Sequence, residues 1–435
     1  LENNASSPIK PEYDVIIAGA NPAGLSAAIA CARSGLETLL FDCGDTPGGI
    51  PSDVLVHGVC GLYLTSPDMI PRQANGGFAL EFCERLMKSG GACGPLRAGP
   101  YDIMLQEPLL YSRFWEQLCA REKKLTIAWN TRLDEIIADD SLLHAVRFEG
   151  RPERVLSRVF VDTTPDASLA FLSGASCHEN DSASAQQQAF VFSIEDFDMD
   201  AMDEEGRMNF SQNVVSGIRD GLISPQIGLV AMRFVSYAQM PPPFLGLYAE
   251  GDHFSAVNPE AMMRFQILGQ NLATELQNHI RTGVPGFEKC RIEITSSFPG
   301  FRDNRRIVGR YTLTDEDVNA ARDFEDAVCY SAWPNPANPA LPIAQDPTAP
   351  IGRACGIPLR TLISNDFRNL FMAGRPISST DPVPATLRVI GSCLAIGQAA
   401  GLAAAAAAHS PERTITHDSE PQAARLIRDA VMKGI

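Results

Sequence analysis

The chain has eleven cysteines in 435 residues, yet no two are spaced C-x-x-C. That absence excludes the common zinc and iron–sulfur spacings, and an odd count scattered from Cys31 to Cys393 does not make a disulfide framework. Free buried thiols in a reducing compartment, the cytoplasm, are the simplest reading. Histidines number only seven, and no metalloprotease, P-loop or serine-hydrolase motif is present, so no metal site is expected. Positive charge is also short. Against 52 Asp and Glu stand 36 Lys and Arg, a net charge of −16. This argues against nucleic acid and anionic membranes as partners, since both want a basic surface. Long hydrophobic runs are missing except at residues 390–408. That run is mostly Ala and Gly, holds Ser392 and Gln398, and follows Arg388. Alanine contributes little to membrane insertion, so a buried helix is expected there.

What is present begins at residue 12. Residues 13–18 are an apolar run of the kind that forms a fully buried parallel strand, and small and apolar residues at helical spacing follow from Leu25 to Ala32. Between them lies Gly19-Ala20-Asn21-Pro22-Ala23-Gly24. A second apolar strand, residues 38–41, ends on Asp42, which lies 23 residues after Gly19. This is a βαβ unit with a tight first turn. The helix start offers backbone N–H groups and a dipole to a pyrophosphate, and an acid about 20 residues on can bond a ribose diol. The middle glycine of G-x-G-x-x-G is replaced by Asn21, a residue that tolerates left-handed backbone angles. A double glycine, Gly48-Gly49, follows and allows a flat ligand to come close.

At this length two or three domains are expected. Helices are predicted over 76–90, 109–122, 259–281, 385–408 and 421–433, and a run of hairpin-like strands over 125–129, 134–138, 143–149 and 154–162. Acid clusters and Pro241-Pro242-Pro243 mark a change of character from about residue 180, and a Pro-rich loop at 334–350 closes that region. The fold class expected is α/β, a Rossmann-like nucleotide-binding domain, three-layer with a parallel sheet, carrying an inserted α+β substrate domain; the resemblance described next makes it an FAD-binding domain. The boundaries expected are 11–180 with 351–410 for the discontinuous nucleotide domain, 181–350 for the substrate or cap domain, and 411–435 for a C-terminal helix.

Several stretches together resemble one family, the FAD-dependent oxidoreductases of the glutathione-reductase type, in the branch often labelled simply FAD-dependent oxidoreductase. Besides the βαβ unit with Gly48-Gly49, they are Asn130-Thr131-Arg132-Leu133, Asp162-Thr163-Thr164-Pro165-Asp166-Ala167 (D-A-T-G-D in the family), and Val284-Pro285-Gly286-Phe287-Glu288. Three more are residues 302–309 with 313–318, Asn369 to Arg375, and Arg388-Val389 with 393–401. The likeness covers nearly the whole chain in order. It implies an extended FAD, with the pyrophosphate at Gly19, Asn21, Pro22, Ala23 and Gly24 and the ribose at Asp42. Adenine would lie near Leu133, and the isoalloxazine near Gly48, Gly49 and the start of the last long helix. Thr164, Gly374, Arg375, Arg388 and Val389 complete the implied contacts. Asn21 and Pro165 depart from the family's glycines in loops that crowd the cofactor.

The flavin would carry the redox step, and the protein would supply orientation, a proton acceptor and charge control. His57 is a candidate acid or base, or a histidine satisfied inside its loop. Arg302 and Arg305 are candidates for an anionic substrate, or structural ion pairs. Tyr111, His253 and Cys60 are weaker. The function expected is hydride transfer between the flavin and a small organic molecule, neutral or anionic, in a monomer or an oligomer. The alternatives are a flavin fold that has lost FAD and binds or reacts without redox, and an NAD-only dehydrogenase.

Overall fold

Tyr13, Val15, Ile16, Ile17 and Ala18 are all buried, and they put the first strand inside the main sheet with side chains covered on both faces. In the computed structural model the residues described are 8–53, 56–64, 70–98, 101–179, 189–227, 244–248, 259–295, 305–333, 353–381 and 383–434. The chain divides into two compact units, one of residues 1–49, 58–184 and 303–435, the other of residues 50–57 and 185–302.

The first unit is built on a seven-stranded sheet. Its strands are β1 (Glu12–Ala18), β2 (Thr38–Phe41), β3 (Leu125–Ala128), β4 (Leu133–Ala138), β5 (Leu143–Phe148), β6 (Arg154–Asp162) and β7 (Leu370–Met372). The parallel strands run in the order β3-β2-β1-β6-β7, with Val15 opposite Thr38 on one side and opposite Val159 on the other. The nine-residue β6 serves two further partners. Its first residues pair antiparallel with β5, Arg154 opposite Arg147, and its last pair parallel with β7, Asp162 opposite Met372. The order reverses between β1 and β6, and in such sheets ligands bind in the crevice beyond the carboxyl ends at that point.

The helix α1 (Pro22–Arg33) leaves β1 at this crevice and is buried from Pro22 to Ala32. The short helix α2 (Ser168–Ser173) follows β6. Helix α1 packs on α3 (Ile390–His409), whose buried face is made largely of Ala and Gly. A Cβ on Gly397 would overlap the Ala23 carbonyl, and one on Gly401 would lie 2.5 Å from the Ala27 oxygen. The Ser26 hydroxyl donates to Leu394 O at 2.7 Å and the Cys31 thiol to Gly401 O at 3.2 Å. The apolar run at 390–409 is therefore a core helix of this unit, bonded to its neighbour from the side.

The second unit has its own core. A three-stranded antiparallel sheet, with Ala189–Glu195 between Phe244–Tyr248 and Arg291–Thr295, carries Phe190, Phe192 and Ile194. The helices Glu204–Arg219 and Pro259–Gly283 contribute Phe210, Leu272, Leu276 and Ile280 to the same core.

Two expectations need correction, and one sheet is additional to those expected. The strand at 125–128 is no hairpin member; it lies parallel beside β2, and only β4, β5 and β6 form the meander. A separate antiparallel sheet of Gly58–Val59, Ala92–Ala98 and Tyr101–Gln106 was not expected, because Gly94 and Pro95 interrupt its apolar pattern. The helix expected over 385–408 is two, Pro384–Leu387 and α3, with Val389 extended between them. The Pro-rich loop at 334–350 lies outside the described residues.

Because α1 and α3 touch through backbone at Gly397, Gly397→Ala is expected to lower stability by about 1–3 kcal/mol. Thermal unfolding measures it; an unchanged Tm would mean that the two helices separate at little cost.

Candidate functional site

The crevice between β1 and β6 is held shut by one hydroxyl and one amide. Thr163, just past β6, donates its backbone N–H to Ala18 O at 2.9 Å. Its buried hydroxyl lies 2.7 Å from Ala18 O and 2.8 Å from Gly19 O. Gly19 has φ +99°, and a Cβ there would come within 2.9 Å of the Thr163 hydroxyl, so only glycine makes this turn. Gly24 closes the turn from the other side, since a Cβ on it would overlap the Gly19 carbonyl.

Asn21 is the N-cap of α1. Its Oδ1 accepts from the N–H groups of Ala23 at 3.1 Å and Gly24 at 3.4 Å, and Pro22 at the first helical position has no N–H to offer. Its Nδ2 donates to Thr163 O at 2.5 Å. The double glycine folds onto the same residue. Gly48 N–H donates to Ala20 O at 2.9 Å, and at Gly49 (φ +57°) a Cβ would lie 2.9 Å from the Asn21 Cβ.

Asp42, at the end of β2, is half-buried. Its Oδ2 accepts from Ala20 N–H at 2.6 Å and its Oδ1 from Gly44 N–H at 2.7 Å. The adjoining loop is tied to it, because Thr131 N–H donates to Asp42 O at 2.9 Å. At the far side β7 leads into Gly374, where a Cβ would stand 3.0 Å from the Ala23 Cβ and 4.0 Å from the Cys393 sulfur. Burial pushes the Cys393 thiol up to about 12, while the charges of Arg375 and Arg388 pull it down. Both guanidiniums therefore act on the first turns of α3. No side chain caps that helix, and Val389 stands at its N-cap.

Residues 14–418 match the family described as FAD dependent oxidoreductase. The chain belongs to that family. It is a flavin-dependent redox enzyme, and FAD is its cofactor. No curated protein matches the chain. Among solved structures, a geranylgeranyl bacteriochlorophyll reductase-like protein from Thermoplasma acidophilum is similar over 97% of this chain and 84% of its own, at 12% identity and a TM-score of 0.46. A p-nitrophenol 4-monooxygenase from Pseudomonas putida DLL-E4 is similar over 98% and 91%, at 11% identity and a TM-score of 0.44. A flavin-dependent brominase is similar over 96% and 85%, at 13% identity and a TM-score of 0.45.

The residues of this FAD dependent oxidoreductase fit the cofactor. A twelve-residue helix starts at the switch point, and Gly19, Gly24, Gly49 and Gly374 let the turn, the double-glycine loop and the end of β7 pack closely around it, since a Cβ on any of them would press on neighbouring protein atoms. An acid ends the second strand. Gly19, Asn21, Pro22, Ala23, Gly24, Asp42, Gly48, Gly49 and Gly374 thus come together, and Arg375, Arg388 and Val389 stand at the start of α3. Leu133 packs against the core of the main sheet. Thr164 acts locally. Its N–H and hydroxyl bond Asp162, and its hydroxyl accepts from Ser168 N–H at 2.7 Å. Pro165 is exposed in its turn, away from the packed side of the loop.

Arg305 lies 3.8 Å over the Phe171 ring, donates to Asp166 O at 3.3 Å and pairs with Glu179 at 3.3 Å. Arg302 and His253 are outside the described residues. His57 belongs to the second unit. Tyr111 is buried among Phe82 and Trp115, and Cys60 has its thiol pushed up to about 12 by burial. The reading of the residues missed Thr163 and the N-cap role of Asn21. Asn followed by Pro at a helix start is a capping signature that was there to be seen; nothing in the sequence separates Thr163 from Thr164.

Burial pushes the His57 imidazole down to about 4, so it is neutral at pH 7. Between about pH 4 and the ordinary value near 6.5 the unfolded chain binds a proton that the folded chain refuses. Stability is therefore expected to rise with pH across that window, by about 3 kcal/mol, and His57→Gln to flatten the rise. Denaturant unfolding from pH 4 to 7 reads it; an equal slope in both proteins would assign the pH dependence to other groups.

Proposed function

We propose that this enzyme transfers a hydride between its FAD and a small organic molecule, with an anion preferred. The observation that carries the reading is the concentration of positive charge at the start of α3. Arg375 and Arg388 both bear on Cys393 in its first turns. The twenty-residue helix adds its own positive end, left without a side-chain cap. FAD supplies the two-electron chemistry when bound. The chain supplies fixed positive charge, which stabilises negative charge that develops on reduction or arrives with a substrate.

This reading adds Arg375 and Arg388 to Arg302 and Arg305 as candidates for holding an anion; Arg305 is stacked on Phe171 and paired with Glu179. The second unit, with its separate core, is proposed as the substrate domain. His57, neutral at pH 7, is suited to accept a proton only from a strong donor. The FAD-less and NAD-only alternatives are disfavoured by membership of an FAD family across residues 14–418.

The purified protein is expected to show a two-band flavin spectrum that bleaches with dithionite and to release FAD on denaturation. Arg388→Met is expected to lower the flavin's reduction potential and to slow substrate reduction of the flavin by about 10–1000-fold. A protein that stays colourless with excess FAD would sink the reading. An unchanged potential in the variant would remove the role given to Arg388.

A further inference from the structure

The first turn of α1 has a small stock of donors, and one residue uses all of it. Pro22 has no N–H. The N–H groups of Ala23 and Gly24 donate to Asn21 Oδ1, and that of Leu25 to Asn21 O at 2.9 Å. A helix start attracts phosphate because such N–H groups are free to bond it. Here they are already satisfied from within the chain. The capping amide is also tethered at its other end, through Nδ2 to Thr163 O at 2.5 Å. It stands between Gly49, which packs on its Cβ, and Gly374, where a Cβ would be 3.9 Å from its Oδ1. The amide thus fills the middle of the switch-point crevice, at the place where the fingerprint has a bare glycine. The start of α3, in the same unit, has no side-chain cap.

We infer that Asn21 is a built-in competitor of the FAD pyrophosphate, and that FAD is consequently held as an exchangeable ligand. The inference rests on FAD being the cofactor. A phosphate oxygen and Asn21 Oδ1 cannot both lie in line with the Ala23 and Gly24 N–H groups. Binding must turn the Asn21 side chain away, and turning it breaks the cap and the bond to Thr163 O together. On release both bonds re-form, so the FAD-free protein is not left with an uncapped helix in an empty crevice. The substitution that reads in sequence as a defect in the fingerprint acts as a cover for the site.

The test compares wild type, Asn21→Gly and Asn21→Ala as full-length proteins. FAD affinity is measured by quenching of FAD fluorescence, FAD release by dilution, and Tm with and without FAD. Both variants remove the competing amide. Each is expected to bind FAD about tenfold tighter and release it more slowly, while its FAD-free form melts below wild type. Stability without FAD and affinity for FAD then move in opposite directions, which a merely structural role of Asn21 would not produce. The inference is overturned if both variants bind FAD more weakly, because Asn21 would then hold the cofactor. It is equally overturned if affinity stays within about twofold of wild type. Failure of all three proteins to bind FAD would instead overturn the assignment of the cofactor, and this inference with it.

Discussion

The helices Pro22–Arg33 and Ile390–His409 meet backbone to backbone, and the first unit depends on that contact. Larger side chains at Gly397 or Gly401 would meet the Ala23 and Ala27 carbonyls. Small residues give up apolar area, yet they let two helices lie close enough for side-chain hydroxyl and thiol groups to bond the neighbour's carbonyls. The consequence reaches the site. The C-terminal part of the chain returns more than 200 residues after β6, and its strand Leu370–Met372 pairs in register with Phe160, Val161 and Asp162. Gly374, Arg375 and Arg388 are delivered to the crevice only because strand and helix dock together.

Two helix starts converge on this unit, and their chemistry differs. One is capped by Asn21 and tied across to Thr163. The other carries an extended valine at its N-cap and two arginines near its first turns. A capped start has used up its donors, whereas an uncapped one beside guanidiniums keeps a positive field in a place of low polarisability. The asymmetry concentrates fixed positive charge at α3 and leaves the donors of α1 covered. Buried Asp162, whose carboxyl is pushed up to about 6 by burial, stays structural in this arrangement. Its oxygens accept from Thr164 and from Ala170 N–H, and so fix the loop that carries Thr163.

The first βαβ unit was legible in the sequence because its signals are local: an apolar strand, a turn, a helix of small residues, and an acid at the next strand's end. The family likeness made the return of the C-terminal strand legible as well. The strand Leu125–Ala128 was legible as a strand but not as a member of the parallel sheet, because alternation of apolar residues does not name a partner. The sheet around Gly94 and Pro95 was hidden by residues that break the strand pattern. For Arg305 the sequence left two readings, a ligand for an anion or a structural ion pair, and its surroundings, Phe171 and Glu179, come from segments more than 100 residues away.

By itself the sequence determined the fold class, the cofactor family and the set of glycines that a tight turn and a close helix pair require. Those follow from steric rules acting between near neighbours, and from motifs whose order along the chain is visible. Only the tertiary structure decided what Asn21 does. Its capping of Ala23 and Gly24 is local, but its bond to Thr163 spans 142 residues, and its contacts with Gly49 and Gly374 join three loops. The same holds for the positive cluster, since Arg375 and Arg388 become neighbours of one thiol only after strand and helix have packed. A residue's chemistry is set by what surrounds it, and those surroundings come from chain segments that the sequence keeps far apart.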